Sequence, residues 1–385
     1  MKFAVVGCGR IGAQPSSRIE NDLPQGWLPV SHVESFLQIK GNHELALCDS
    51  DKNSVERWSA HYGVSCSYTD YRELFTKFQP DVVSIATRTP SKKEILFSAC
   101  DAGVRGIYLE KPIANSLKGC HEILHKVQQS GCHLFYGVNR RYHESYRLAK
   151  QWIRNGVIGE LQEINIEHGP SQLLWTHPHS MDLILFLIGS TELESVQARF
   201  SQTTFHRICE NVIDSDPVLE SAHFRFYNGV TANILRTRGL NVRIAGRDGI
   251  LSILSNGECL EVQRRKRPDS SYFLEKYVEN PKAEIGATVT ALTELVNRVS
   301  QTQSNGLLNQ PLAKSEWENN TPTDHFARNP SLMAPQTAIS LKEIEIGTRM
   351  LFGCVWSHLK EGKVSSLSDV PEALEVTGRW EGFYA

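Results

Sequence analysis

The chain opens KFAVVGCGRIGA, and no other stretch restricts its fold as much. Phe3 to Val6 form a short β-branched apolar run, and Gly7, Gly9 and Gly12 follow at once in the spacing GxGxxG. That spacing alone is a weak signal; its place directly after a strand is what a dinucleotide fingerprint requires. Gly7 permits a tight turn, Gly9 lets backbone approach a pyrophosphate, and Gly12 lets a helix pack on the strand. Together with Cys8, Arg10 and Ile11 they offer free amides at a helix N-terminus, where an anion is favoured. The fingerprint also expects an acidic residue ending the second strand, about twenty residues on. HELALCDSD supplies Asp49 after a strand Glu44–Cys48, but the gap from Gly12 is too long. The excess is QPSSRIENDLPQGWLPVS, Gln14 to Ser31, whose prolines mark an inserted loop before a helix at His32–Ile39. This loop either caps the cofactor or is a plain surface excursion. Asp49 accepting from both ribose hydroxyls favours NAD, with NADP possible; Ser50 and Asp51 follow it, not a cation for a 2′-phosphate.

Strands and helices then alternate. The pattern predicts helices over Lys52–Tyr62, Tyr71–Phe78, Ser91–Ala102 (with Ser91 as N-cap) and Ser116–Ser130. It predicts strands over Cys66–Tyr68, Pro80–Thr87, Gly106–Leu109 and Cys132–Tyr136. Such alternation means a doubly wound parallel sheet, an α/β Rossmann arrangement. Ligands bind beyond the carboxyl ends of such strands. Gly7–Gly12, Thr87–Pro90 and Glu110–Pro112 therefore gather on one edge, with Thr87, Pro90, Glu110 and Lys111 as further cofactor contacts. The stretch GIYLEKPIA sets a carboxylate, an amine and an imino acid at a strand end, which suits either a plain turn or an active site. Its position on the cofactor edge favours the site.

From about residue 138 the pattern changes. A helix in ESYRLAKQWIR precedes a strand at Leu161–Glu167, and six further strands lie between Glu194 and Arg264. Asn228-Gly229 between two of them is a hairpin signal. Consecutive strands without helices give a mainly antiparallel, open sheet in an α+β domain. The division is residues 1–137 for dinucleotide binding and 138–385 for substrate binding and oligomerisation. HPHSMDLILFLIG, residues 177 to 189, reads as a helix with His179 and Asp182 on one face near its start. The spacing leaves catalysis and mere capping or core pairing both open. Residues 302–337 lack periodicity and read as a long loop, before a helix at Ile339–Lys360.

Composition excludes several classes. A formal net charge of −2 gives no basic field for nucleic acid, and RRKRP at Arg264–Pro268 reads as a solvated hairpin end. No apolar run approaches the roughly eighteen residues of a membrane span. The N-terminus reads as a strand rather than a secretory signal, and the nine cysteines form no CxxC pair. Reduced thiols in a cytoplasm and no zinc or other metal site are expected.

In this order the motifs VVGCGRIG, LALCDSD, LEKPIANS, GVNRRYHESYRLAKQWIRNGVIGEL and HSMDLILFLIG resemble the glucose–fructose oxidoreductase / inositol dehydrogenase (Gfo/Idh/MocA) family. The resemblance implies an NAD(P)-dependent oxidoreductase acting on a hydroxyl or keto carbon of a sugar, cyclitol or nucleotide-linked sugar. Alternatives are an NADP-linked reductase of another small carbonyl or dihydrodiol, and a catalytically silent dinucleotide-binding regulator. It implies that Lys111 contacts substrate and nicotinamide, that Pro112 follows a cis peptide, and that His179 is the general acid/base. Asp182 and Arg141 match residues at the substrate site. Where many members have an Asp four residues before the histidine, this chain has Trp175, a ring that can stack on a sugar. Where many have a histidine after the TP pair, it has TPSKKE with Lys93 or a neighbour. An imidazole titrating near neutrality suits the proton transfer. A homodimer or homotetramer is the assembly the resemblance implies.

Overall fold

The strand β1 (Lys2–Val6) is almost wholly buried, and its neighbours are parallel. The computed structural model describes residues 1–24, 26–267, 269–273, 275–304 and 338–377. Beside β1 run β2 (Glu44–Cys48), β3 (Cys66–Tyr68), β4 (Val82–Ile85), β5 (Gly106–Leu109) and β6 (His133–Tyr136). The order is β3-β2-β1-β4-β5-β6, all parallel, and the chain adds strands outward to one side up to β3 and to the other side from β4, so the order reverses between β1 and β4. This is the dinucleotide-binding arrangement, whose ligand crevice opens outside the carboxyl ends at that reversal. The crossovers are α1 (His32–Leu37), α2 (Lys52–Tyr62), α3 (Tyr71–Glu73, running into a π-helical turn at Leu74–Phe78), α4 (Thr89–Asp101) and α5 (Leu117–Ser130).

The first helix departs from the expected form. After Gly12 the chain leaves the helix and returns to it. His32 N–H donates to the Ile11 carbonyl at 2.9 Å and Val33 N–H to the Gly12 carbonyl at 3.0 Å. The turn Gly9–Ala13 and α1 are thus one helix interrupted by the 14–31 excursion, which carries a short 3₁₀ segment at Ser16–Asp22. The excursion closes on itself where the Ser16 hydroxyl meets Glu34 and accepts from the Val30 and Ser31 amides at 3.0 Å. The start of α4 also differs: Arg88, not Ser91, is its N-cap, and Pro90 sits in the first turn, where a missing N–H costs nothing.

The second half begins with α6 (Glu144–Arg154), β7 (Leu161–Glu167), β8 (Ser171–Gln172) and α7 (Leu173–Ile188). Then come β9 (Leu193–Phe200), β10 (His206–Cys209), β11 (Val212–Asp214), β12 (Val218–Phe226), β13 (Thr231–Ile234), β14 (Asn241–Gly246), β15 (Gly249–Leu254), β16 (Cys259–Arg264) and β17 (Glu275–Glu279). They close with α8 (Ala287–Ser304), α9 (Leu341–Leu359) and β18 (Glu375–Val376). Among the described residues the large sheet runs β17-β16-β15-β14-β7-β13-β12-β8, with β9 also on β12, and every pairing except β7 with β13 is antiparallel. A small sheet joins β10, β11 and β18. Periodicity missed β17, the small sheet and α8. The long loop expected over 302–337 lies almost entirely outside the described residues, as does Pro268 of the basic cluster.

A division at 137/138 does not separate the two parts cleanly, because α8 crosses back. Its Leu295 and Val299 lie against Gly106 of β5, where a Cβ would come within 2.8 Å of Val299. Ser300 Oγ reaches Met1 at 3.4 Å. One apolar core consequently runs from Phe3 and Val5 through Leu292 and Val299 to the helices on the large sheet. Gly12 shows how tight the first turn is: a Cβ there would stand 1.8 Å from the Gly7 carbonyl oxygen. Gly12→Ala should therefore lower stability by about 2–4 kcal/mol, read as the midpoint of urea unfolding. An unchanged midpoint would contradict this packing.

Candidate active site

The Gly-rich turn is a cradle of backbone. Gly7 has φ +100°, and its N–H donates to the Cys48 carbonyl at 2.8 Å. The Asp49 carboxylate accepts from Cys8 N–H at 2.6 Å and Asp51 N–H at 2.9 Å, which ties the end of β2 to the loop. Among the described residues the amides of Gly9, Ile11 and Gly12 donate to nothing in the chain. At the end of β4 the Thr87 hydroxyl is buried without a hydrogen-bond partner. Free amides, a carboxylate and an orphaned hydroxyl along one sheet edge fit the pyrophosphate and ribose of a dinucleotide. Cys8 is buried with its thiol pushed up by burial, so it contributes its amide region rather than a thiolate.

Beyond β5 the Glu110-Lys111-Pro112 turn is held from below. Lys92 of α4 is only 1% exposed. Its Nζ donates to the carbonyls of Glu110 at 2.6 Å, Lys111 at 2.9 Å and Pro112 at 2.9 Å. Three acceptors match the three N–H groups of an ammonium. Burial draws the Lys92 pKa down to about 7, while Glu110 opposes the shift. Lys93, the alternative in TPSKKE, instead pairs with Glu122 at the surface. Glu110 is buried too. Its Oε1 meets His32 Nε2 at 3.2 Å, its Oε2 accepts the Lys111 N–H at 3.2 Å, and Ser84 Oγ contacts His32 Nδ1. Burial alone would raise this carboxyl; the His32 hydrogen bond and the Lys111 and Lys92 ammoniums outweigh it and hold it below the usual range. Glu110 therefore supports the turn from beneath, where a direct cofactor contact was expected. The Lys111–Pro112 peptide is cis.

The histidine helix starts four residues earlier than HPHSMD suggests. Asp216, from the β11–β12 connection, accepts from the α7 amides of Leu174 at 2.8 Å and Trp175 at 2.9 Å. This cap comes from distant sequence, so the helix extends back to Leu173 and places Pro178 and His179 in its interior. Pro178 lacks the N–H that would bond the Leu174 carbonyl. The next carbonyl, of Trp175, accepts Lys111 Nζ at 2.9 Å. The same ammonium stands 3.7 Å from the centre of the Trp175 ring, which is 37% exposed. Lys111 is drawn down to about 8 by burial, against Glu110 and Asp216 and with Arg140 and Arg10. His179 Nδ1 is buried without a partner. Burial first, then Arg140 and Lys111, push His179 well below 6.5, so it is neutral where an imidazole titrating near neutrality was expected.

Arg141 and Asp182 have another role than substrate contact. Arg141 is 1% exposed and Asp182 4%. The guanidinium grips the carboxylate through Nε at 2.9 and 3.2 Å and Nη2 at 2.6 Å, and reaches Glu343 of α9 at 3.0 Å. The pair bolts α7 to the segment after β6 and to α9. Arg140, one residue earlier, is the arginine whose charge bears on His179, Lys111 and His168. His168 is also buried, with Nδ1 3.0 Å from Ser180 Oγ and Nε2 without a partner. Neither Lys92, His32, Arg140, His168 nor Asp216 stood out in the sequence. The first arginine of NRRY and the first histidine of an EH…HxH pattern were the available signals.

Residues 1–138 match the family model GFO_IDH_MocA, described as an oxidoreductase family with an NAD-binding Rossmann fold. An inositol 2-dehydrogenase/D-chiro-inositol 3-dehydrogenase from Halalkalibacterium halodurans is 26% identical over 220 residues, 54% of this chain and 58% of that protein. A D-apiose dehydrogenase from Paraburkholderia graminis is 28% identical over 134 residues, 35% of this chain and 36% of that protein. The chain thus spans less than two thirds of the length of these curated relatives. In fold it is similar to an inositol dehydrogenase homologue from Azotobacter vinelandii, solved with NADH and myo-inositol. That TM-score is 0.67 at 16% identity, covering 95% of this chain and 97% of the other.

Removing either buried clamp should cost stability. Asp182→Ala strands the Arg141 charge and should cost about 3–5 kcal/mol. Lys92→Met leaves buried carbonyls unpaired and should cost about 2–4 kcal/mol. Both are read from urea unfolding; losses below about 1 kcal/mol would show that the clamps do not carry the turn and the helix.

Proposed function

We propose that the chain, whose residues 1–138 match the family model of NAD-binding Gfo/Idh/MocA oxidoreductases, is an NAD-dependent dehydrogenase or reductase of that family. Its substrate would be the hydroxyl or keto carbon of a sugar, a cyclitol or a nucleotide-linked sugar. The observation that carries this reading is the meeting of Lys111, on the cofactor edge of the parallel sheet, with the α7 helix that bears a neutral His179. Gly7, Cys8, Gly9, Arg10, Ile11 and Gly12 would hold the pyrophosphate, and Asp49 the ribose hydroxyls. Thr87 and Pro90 would line the same edge at the start of α4. When bound, NAD supplies the hydride acceptor or donor.

The chain's own residues supply the rest. An alcohol must lose its hydroxyl proton as hydride leaves, and a neutral imidazole is the form that takes a proton. Burial and the neighbouring cations keep His179 in that form. The Lys111 ammonium beside the same oxygen stabilises alkoxide charge as it develops. In reduction His179 donates the proton to the carbonyl oxygen. The exposed Trp175 face, which already lies over Lys111, offers a stacking surface for a sugar ring. The outward face of the large sheet carries a hydrogen-bonded polar row, Glu163–Asn165–Asn233–His223, which suits a face shared between copies in a homodimer or homotetramer.

The pH dependence follows from the two shifts. Lys111 is an ammonium below about 8 and loses its charge above it, so kcat/KM for oxidation should fall as pH rises through about 8. His179 stays neutral until the pH is well below 6.5, so no acid limb should appear near that value. Lys111→Arg should move the basic limb upward. Lys111→Met should abolish NADH formation at 340 nm while leaving NAD affinity within a few fold. Turnover by Lys111→Met equal to that of the wild type would overturn the assignment.

A further inference from the structure

The chain carries nine cysteines, all free. Two of them meet. Cys100 Sγ lies 3.8 Å from Cys132 Sγ across 32 positions of sequence, and among the described residues no other two cysteine sulfurs are hydrogen-bonded to each other. Cys100 stands in the last turn of α4 at 7% exposure, and Cys132 is half-buried one residue before β6. Helix α4 follows β4 and leads back to the start of β5, so the pair sits at the edge where the parallel strands begin. The Gly-rich turn and the Lys111 turn occupy the opposite edge. The pair therefore lies outside the candidate active site, and nothing in the reaction described above uses it.

The surroundings favour a thiolate on Cys100. Cys132 donates its S–H to the Cys100 sulfur, and the Ser130 hydroxyl and the Lys126 ammonium add to that effect. Together they outweigh burial and the Asp101 carboxylate and draw the Cys100 thiol down to about 7. Cys132 is pushed up, by that hydrogen bond first and by burial second. A partly exposed thiol beside a thiolate supplies an attacking and a resolving sulfur. The two sulfurs reach the disulfide length of about 2.05 Å by closing a gap of under about 2 Å.

We propose that Cys100 and Cys132 form a site of reversible oxidation, which a peroxide closes to a disulfide within the chain. The Cys100 thiolate attacks one oxygen of hydrogen peroxide. The O–O bond breaks, and the other oxygen leaves as hydroxide and takes up a proton to become water. Cys100 is now a sulfenic acid, oxidised by two electrons. The Cys132 sulfur attacks it, the S–S bond forms and the S–O bond breaks, and that oxygen leaves as water with the Cys132 proton. Two thiols and one hydrogen peroxide give one disulfide and two waters, and a dithiol reductant reverses the change. The bond closes a ring that holds β5, the Lys111 turn and α5. It restrains the unfolded chain over the segment that carries Lys111, and so stabilises that segment.

The test uses the full chain, reduced with dithiothreitol, freed of it and treated with about one equivalent of hydrogen peroxide. Free thiols are counted in denaturant, and a digest without reductant locates any cross-link. The wild type should lose two of its nine thiols and yield a peptide joining Cys100 to Cys132. This should occur at least about tenfold faster than oxidation of Cys209, the exposed thiol. The midpoint of thermal unfolding should rise by about 3–6 °C and return with dithiothreitol. In Cys132→Ser, dimedone should trap a sulfenic acid on Cys100. In Cys100→Ser, neither a cross-link nor a dimedone adduct on Cys132 should form. If the serine variants fold poorly, the digest of the wild type decides. Nine surviving thiols, a cross-link through other cysteines or between two chains, or oxidation no faster than that of Cys209 overturns the site. Equal trapping on Cys132 in Cys100→Ser overturns Cys100 as the attacking sulfur. A cross-link with no rise in the midpoint overturns the stabilising ring.

Discussion

One buried ammonium holds the turn on which the site depends. Lys92 gathers the carbonyls of Glu110, Lys111 and Pro112 and so fixes the backbone at the end of β5. From beneath, Glu110 is locked by His32, and His32 by Ser84 of β4. The Lys111 side chain is therefore free to leave the turn in one direction, toward α7. There it finds the Trp175 carbonyl and ring. Burial of charge is expensive, and the network exists because each polar atom in it has a partner.

The second half of the molecule is arranged to meet that lysine. Asp216 caps α7 from another element, and Arg141 with Asp182 anchors its middle to the sheet edge and to α9. These contacts come from residues far apart in sequence and converge on one helix. Asp216, held on the amides of Leu174 and Trp175, also bears on Lys111, where its charge favours the ammonium against the effect of burial.

Much of the first sheet was legible because parallel strands buried on both faces read as continuous apolar runs. Strands Glu44–Cys48 and Gly106–Leu109 follow from that pattern. The interrupted first helix did not, since the bonds from His32 to Ile11 and Val33 to Gly12 close across eighteen or more residues of excursion. The start of α7 was misplaced because its cap is tertiary. Lys92 was passed over because a lysine on a helix usually faces water. Arg141 was preferred to Arg140 because two adjacent arginines cannot be told apart until the helix opposite them is placed. The α8 return was hidden for the same reason: its partners, Gly106 and Met1, lie at the other end of the chain.

The account stands on one juxtaposition: a dinucleotide along the Gly7–Gly12 edge whose reactive ring faces the gap between Lys111 and His179. A crystal structure of the full chain with NADH measures it directly. The account predicts the pyrophosphate on the amides of Gly9, Ile11 and Gly12. It also predicts the nicotinamide C4 facing a space within about 3–3.5 Å of which both Lys111 Nζ and the His179 ring can place a substrate oxygen. A nicotinamide turned away from Lys111, or a dinucleotide bound elsewhere on the molecule, would contradict it.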